Sequence, residues 1–315
     1  MFNFKDVYIN NYFSIVGPVE AKSNLKGFNL SMDDYYYGEK TFEKAEIKMQ
    51  NVVLNNLLKK SNPDLVMGTD LLNQMIITNM SLKERNLPYL GLYSACASST
   101  GAIINLASLI DKKYIKEGLF ITSAHNLNAE KQYRFPIEYG APKPYRSTFT
   151  TTASIGFTLS KNPSKLKVLN GTIGCVKDSY VKDIFNMGAI MAISAADTLI
   201  RHLKLTKTTP EDYDLILTGD LGKVGAEIFK ELLEKENITL NNHLDSGTLI
   251  YENEEYAGGS GPAVLPLVFF NNIIHSKKYK KILLLATGSL HSPALVNQKN
   301  SIPAICHAVT IEVLK

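Results

Sequence analysis

Cysteine is scarce in this chain. Cys96, Cys175 and Cys306 are its three cysteines in 315 residues, and they form neither a CxxC pair nor a metal-ligand spacing. That excludes a disulfide framework and a zinc ribbon, and the odd count points to a reducing compartment. Long apolar runs are also missing. The longest strongly apolar stretch, Ala263 to Phe270, is interrupted by Pro266 and is far too short to cross a bilayer. The opening Met1-Phe-Asn-Phe-Lys-Asp-Val-Tyr8 lacks the basic start and apolar core of a secretory signal. A soluble chain is expected, with any membrane association peripheral. Charge excess is small as well: a net +4 gives no case for a nucleic-acid binder, yet leaves room for an anionic ligand or a weak attraction to an acidic membrane surface. Four Asn-x-Ser/Thr triplets, at Asn29, Asn79, Asn170 and Asn237, read as chance matches without secretion.

What the chain does have is an ordinary globular composition, 45% hydrophobic and 20% charged, and an internal repeat. Asp64-Leu-Val-Met-Gly-Thr-Asp70 returns as Asp214-Leu-Ile-Leu-Thr-Gly-Asp220, each after an amphipathic helix. The first copy continues through Ser94-Ala-Cys96-Ala-Ser-Ser-Thr100, a helix, and the strand Gly118 to Ala124. The second continues through Tyr256-Ala-Gly-Gly-Ser-Gly-Pro262, a helix, and the strand Lys281 to Thr287. Two halves, 1–162 and 163–315, are expected to pack about a pseudo-twofold with a site where they meet. Only the first copy carries a cysteine at the turn before its helix.

Hydrophobic periodicity predicts the elements. Residues 1–40 look irregular. Ala45, Met49, Val52, Val53 and Leu57 share a helix face, and Asn62-Pro63 ends that helix before a short strand from Asp64. A polar helix is expected from about Leu72 to Asn86, a strand from Tyr89 to Tyr93, and a helix from Cys96 to Lys113. His125 to Thr148 is a polar, proline-rich stretch too long for a simple connection, and Thr151 to Ser160 a strand. In the second half, helices are expected at 188–203, 226–236 and 261–275, and strands at 213–218, 248–251 and 282–286. Lys277-Lys-Tyr-Lys-Lys281 reads as a solvated basic turn. Apolar strands alternating with helices imply parallel strands covered on both faces.

Cys96 at a helix start would meet unpaired N–H groups and positive partial charge, which favour a thiolate and an adjacent oxyanion; the alternative is a small residue buried in a tight turn. A nucleophilic cysteine needs a base. His125 follows a strand in the same half, His291 follows the equivalent strand of the second half, and His307 lies in the last strand; each also reads as a structural histidine. His202 and His275 fall near helix C-termini, where structural roles dominate. The 125–144 stretch offers Arg134 and Lys143 for carboxylates and Tyr133, Phe135 and Tyr139 for an aromatic ring. Asp70 and Asp220 end matching strands; helix capping explains them better than a shared cation site. Gly258-Gly-Ser-Gly261 lacks the ending of a phosphate loop, and close backbone packing explains its glycines more simply.

Taken together these residues resemble the thiolase-like superfamily and, within it, the stage V sporulation protein AD family. The resemblance rests on Phe42-Glu-x-Ala-Glu46, Gly68-x-Asp-Leu-Leu-Asn-Gln74, Ser123-x-His-Asn-x-x-Ala-Glu-x-Gln-Tyr-Arg-Phe-Pro136, Glu138-Tyr-Gly140, Phe185-Asn-Met-Gly188, Ala195-Ala-Asp-Thr198, Asp212 to Leu221 and Ala257-Gly-Gly-Ser-Gly261. It implies a layered α/β/α/β/α fold of two βαβα halves burying two central helices. It also implies a non-enzymatic binder of dipicolinic acid (pyridine-2,6-dicarboxylate) or its calcium chelate. Such a protein would work as a homodimer beside other stage V sporulation membrane proteins at the inner membrane of the developing spore, with no nucleic-acid partner, no cofactor and no resident metal. Condensing enzymes of the superfamily take two catalytic residues from the second half, where this chain reads Asp220 and Ala257-Gly-Gly-Ser-Gly261 instead of His or Asn. The pocket is expected to draw on Cys96, His125, Asn126, Arg134, Tyr139, Lys143 and Ser260, with Arg134 and Lys143 facing carboxylates. The rival is an acyltransferase using Cys96 with His125 or His307 as base; a third reading is a scaffold with a vestigial pocket.

Overall fold

The computed structural model describes residues 1–23, 25–134, 143–251 and 256–314. Its strands are β1 (Phe2–Val16), β2 (Leu30–Ser31), β3 (Leu65–Thr69), β4 (Tyr89–Gly91), β5 (Glu117–Ala124), β6 (Thr148–Thr150), β7 (Ala153–Ser160), β8 (Leu166–Ile173), β9 (Lys177–Asp178), β10 (Leu215–Thr218), β11 (His243–Asp245), β12 (Gly258–Ser260), β13 (Lys281–Ser289) and β14 (Pro303–Val313). Its helices are α1 (Pro18–Ala21), α2 (Phe42–Leu58), α3 (Ile76–Leu82), α4 (Ser98–Asp111), α5 (Asn126–Tyr133), α6 (Met187–Thr206), α7 (Gly222–Glu234), α8 (Ser246–Ile250), α9 (Val264–Val268) and α10 (Pro293–Asn297).

The main sheet runs β11-β10-β13-β14-β8-β1-β7-β5-β3-β4. Its order is a mirror about the β8–β1 pair: a parallel trio lies at each end, and antiparallel strands fill the middle. The all-parallel expectation therefore holds only for the outer trios. Strand pleating then sorts the core into three layers. Leu119 and Ile121 face α2 in one outer cluster, and Ile216, Leu283 and Leu285 face α6 and α7 in another. The alternate residues Phe120, Leu215, Leu217, Ile282 and Leu284 face a central layer of α4 and α9. This is the α/β/α/β/α stack.

Four expectations need correction. Residues 2–16 form the long central strand β1; two register shifts and the left-handed Asp6 (φ 55°) break its alternation and hide it. The helix expected from Leu72 begins at Ile76, because Gln74 and Met75 adopt left-handed φ in a 3₁₀ turn. Residues 248–251, read as a strand, mostly belong to helix α8, capped by the Asp245 side chain on Thr248 N–H at 3.0 Å. The 261–275 helix starts at Val264, and its tail widens into a π turn over Phe269–Ile273. Among the described residues, no helix is long and apolar enough to cross a membrane.

Candidate functional site

A cavity of about 670 Å³ opens at the C-terminal ends of β3, β10 and β13, beyond the start of α4. Asp70 builds one side. Its Oδ1 accepts from Leu72 N–H at 3.0 Å, and its Oδ2 from the N–H and the hydroxyl of Thr78, each at 2.8 Å. Behind Asp70 runs a buried polar chain. Gln50 Nε2 donates to Thr78 and Ser123 hydroxyls at 3.1 and 2.9 Å, Ser123 donates to Glu46 Oε1 at 2.7 Å, and Asn128 donates to Glu46 Oε2 at 2.7 Å. Burial and the neighbouring Asp70 charge push the Glu46 carboxyl up, so it holds its proton far more readily than an exposed glutamate.

Cys96 lies half-buried on a 3₁₀ turn, Ala95–Ala97, that precedes α4. Ala95 is left-handed (φ 45°), which turns the cysteine toward the cavity that it lines. The turn packs against β13 only because residue 288 is glycine; a Cβ there would meet Ser94 O at 2.5 Å. Its thiol shares the cavity wall with the Asp220 carboxyl, whose charge acts on it. Asp220 Oδ1 accepts from the Thr287 hydroxyl at 2.7 Å and Oδ2 from Gly261 N–H at 3.1 Å. Asp220 thus binds across the site and caps no helix; Asp245 takes the Leu221 and Gly222 N–H groups instead, at 3.0 and 2.9 Å. Asp70 does contact the first turn of α3 and still lines the cavity. The described residues bring together no group of three or more metal-ligating side chains.

The electrostatics reverse the expectation of an activated cysteine. Burial comes first and the Asp220 charge second in pushing the Cys96 thiol well above its usual range. Burial raises Asp220 itself to about 7. The backbone partial charge at the start of α4 does not outweigh these two effects. At pH 7.5, iodoacetamide should therefore alkylate Cys96 at least about tenfold more slowly than the exposed Cys175. Equal rates by mass spectrometry would contradict this account.

The far wall comes from α5 and the loop after β13. Tyr133 donates its hydroxyl to Leu71 O, and Gln132 donates to the same carbonyl at 2.8 Å, pinning the 71–75 segment. His291 meets the Tyr133 ring edge-on at 4.9 Å, and both its ring nitrogens are buried without partners among the described residues. Burial and the Arg134 charge lower it to about 4, so it is neutral at pH 7. Arg134 donates to Glu130 Oε1 at 2.9 Å and to Thr148 O at 3.2 Å. Glu130 Oε2 and Ser289 Oγ, also on the wall, have no partner among the described residues.

Of the residues singled out from the sequence, Cys96, Arg134 and Ser260 line this cavity. Lys143 stands behind the wall, with Nζ 2.8 Å from Glu130 Oε1. His125 and Asn126 lie elsewhere: His125 Nε2 pairs with Tyr35 O at 2.9 Å against the Phe42 ring, and Asn126 donates to Thr150 O at 3.1 Å. Tyr139 lies outside the described residues. His307 packs against Gly101 and accepts from Gly174 N–H at 3.2 Å, away from the cavity. Ser260 is held by pairing of β12 with β6, and Gly258 (φ 147°) abuts Gly247, the close backbone approach expected of those glycines. Asp70, Asp220 and His291 also line the cavity, and their positions at the ends of the repeated strands are the sequence signal for them.

The layered fold with a cysteine at the turn before a central helix defines a thiolase-like protein. Solved structures agree. The chain aligns with 3-oxoacyl-[acyl-carrier-protein] synthase III from Aquifex aeolicus at TM-score 0.59 and 12% identity, covering 97% of this chain and 99% of that one. It aligns with the synthase III of Pseudomonas aeruginosa at TM-score 0.62 and 8% identity, with 99% of each covered. A variant of OleA from Xanthomonas campestris aligns at TM-score 0.64 and 12% identity, again with 99% of each covered. Within that fold, residues 2–312 match the family model of stage V sporulation protein AD. The stage V sporulation protein AD of Bacillus subtilis (strain 168) is 36% identical over 318 residues, covering 97% of this chain and 94% of the relative. The chain belongs to the stage V sporulation protein AD family.

Proposed function

We propose that this protein binds dipicolinic acid, free or as its calcium chelate, without chemically converting it, and serves its uptake into the developing spore and release on germination. The observation that carries the reading is the cavity wall itself. Among the described residues, His291 Nδ1 and Nε2, Ser289 Oγ and Glu130 Oε2 are buried polar atoms without partners, and such atoms cost free energy until a ligand satisfies them. Tyr133 and Tyr93 supply flat apolar surface, and Arg134 a cation. Asp70, Asp220 and Glu130 also line the cavity, so a ligand that carries its own cation suits it better than a bare dianion. Work as a homodimer beside other stage V membrane proteins at the inner membrane of the spore belongs to the same reading and rests on the family alone.

Calorimetric titration with dipicolinate, with and without calcium and against an isomeric pyridine dicarboxylate, tests it. Saturable binding that rejects the isomer is expected, tighter with calcium; no heat and no thermal shift would sink it. Arg134→Ala should weaken binding about tenfold or more, because it removes the cation and leaves Glu130 with Lys143 as its only ion-pair partner among the described residues. Unchanged affinity would remove Arg134 from the site.

The condensing-enzyme neighbours and the place of Cys96 on the cavity favour the rival acyltransferase reading. Against it stand the raised thiol and a carboxyl beside it where a base or oxyanion donor is needed. Rapid stoichiometric acylation of Cys96 by an acyl-CoA would reverse the preference.

A further inference from the structure

The end of the molecule opposite the cavity is basic, and it is built twice. Lys112-Lys-Tyr-Ile-Lys116 joins α4 to β5, and Lys277-Lys-Tyr-Lys-Lys281 joins the α9 segment to β13. The two loops share one construction. Asp64 Oδ2 accepts from Lys116 and Glu117 N–H at 2.7 and 3.1 Å; Asp214 Oδ2 accepts from Lys280 and Lys281 N–H at 2.7 and 2.8 Å. Lys113 (φ 62°) and Lys277 (φ 55°) both turn left-handed, and Ile115 and Tyr279 both pack inward on the central core. Residues with their side chains kept outward are therefore the lysines and Tyr114, which is 78% exposed.

The loops emerge along one line. Lys281, Glu312, Lys167, Tyr8, Ser160 and Glu117 are successive register partners across six strands. Five interstrand steps make about 24 Å at most. Residues 59–64, 111–117, 161–167, 204–214 and 277–281, all at the N-terminal ends of the strands or between β7 and β8, hold fourteen lysines against six carboxylates. The whole chain is +4 and these segments are +8 (14 − 6), so all other residues together sum to −4. Lys112, Lys113, Lys116, Lys277, Lys278 and Lys280 are exposed, and none enters an ion pair among the described residues.

We propose that this twin-loop basic face docks the protein on an anionic phospholipid surface. Three features select lipid over nucleic acid: breadth along the strand line, an exposed tyrosine between lysines, and positive charge from lysine alone, with no arginine in any of the five segments. Lysine acts as a hydrated point charge that tracks a diffuse negative surface, whereas base and phosphate recognition favours the arginine fork. A ring at such a tip suits the headgroup level. The face is separate from the cavity, and the inference does not depend on the ligand assigned there.

The test is sedimentation of the full chain with vesicles of phosphatidylglycerol and phosphatidylcholine, against phosphatidylcholine alone. Binding to the anionic vesicles that falls with added salt is expected. Replacing Lys112, Lys113, Lys116, Lys277 and Lys280 together by glutamine should lower partitioning about tenfold or more. Removing the same charge elsewhere, by glutamine at Lys26, Lys40, Lys44, Lys182 and Lys299, should change it less than about twofold. Equal losses in the two variants, equal binding to neutral vesicles, or no vesicle binding with retention by duplex DNA would each overturn the proposal.

Discussion

Gly188→Ala is expected to destabilise the fold by about 2 kcal/mol or more. In an open helix the same change would stabilise by roughly 1 kcal/mol, because glycine is the poorer helix former; the sign of the effect is therefore diagnostic. At the start of α6 a Cβ on residue 188 would stand 2.2 Å from Leu221 O and 2.9 Å from Gly225 N. Those neighbours are backbone and have no rotamer to yield. The two helices touch main chain to main chain, since a Cβ on Gly225 would in turn meet Gly188 Cα at 2.6 Å. The contact matters to the site because α6 carries Met187 and Met191 onto the cavity wall, and the segment just before α7 carries Asp220. Urea denaturation measures the change. A variant as stable as the parent would mean that the helices slide apart freely, and the cavity wall with them.

The second large effect is on pH dependence. Asp220 is held at about 7 in the fold against an ordinary 3.8. Below about pH 3 the carboxyl is protonated in both folded and unfolded chains and has no influence on stability. As pH rises from there, the unfolded chain ionises while the folded one resists, so stability drains away until about pH 7 and then levels off. The full difference is roughly 4 kcal/mol at most for this wholly buried group. Glu46, Glu20 and Asp245, all raised chiefly by burial, act in the same direction. Five histidines oppose them: burial lowers His202, His243, His291 and His307 to about 4 and lowers His125 as well, so each costs stability as pH falls below 6.5. The parent protein's profile thus blends opposing slopes, and the difference between parent and Asp220→Asn isolates the one group. Relative to the parent, that variant should gain stability steadily from pH 4 to pH 7 and no further. A pH-independent difference in thermal or urea melts would show that Asp220 ionises normally in the fold.

Much of the site was legible in the repeat. Asp70 and Asp220 end equivalent strands, and Cys96 stands at the turn before a helix in one copy alone; those positions follow from pattern and strand length. What pattern cannot report is which side of a wall a residue faces. His125 and Asn126 fall in a dense polar stretch beside the strand that leads to the cavity, yet they bond to Tyr35 O and Thr150 O and turn away from it. Lys143 reaches the site only through Glu130. The strand β1 is illegible in the sequence for a related reason: its bulges interrupt the alternation that marks a strand, while its neighbours β7 and β8 supply the pairing.

The sequence by itself determined the α/β class, the repeated motifs and the place of the cysteine, because these are written in local periodicity and in the order of motifs; the layering was implied by the family resemblance. The tertiary structure decided the chemistry of the cavity. A thiol at a helix start reads as activated, but the charge of Asp220, more than 100 residues away, and burial of both together raise it instead. The left-handed turn at Gln74 and Met75, the burial of a His291 unpartnered among the described residues, and the alignment of two lysine-rich loops along one line of strand partners are likewise products of long-range packing. Charge and hydrogen bonding act through space, and distance along the chain carries no information about them until the sheet is assembled.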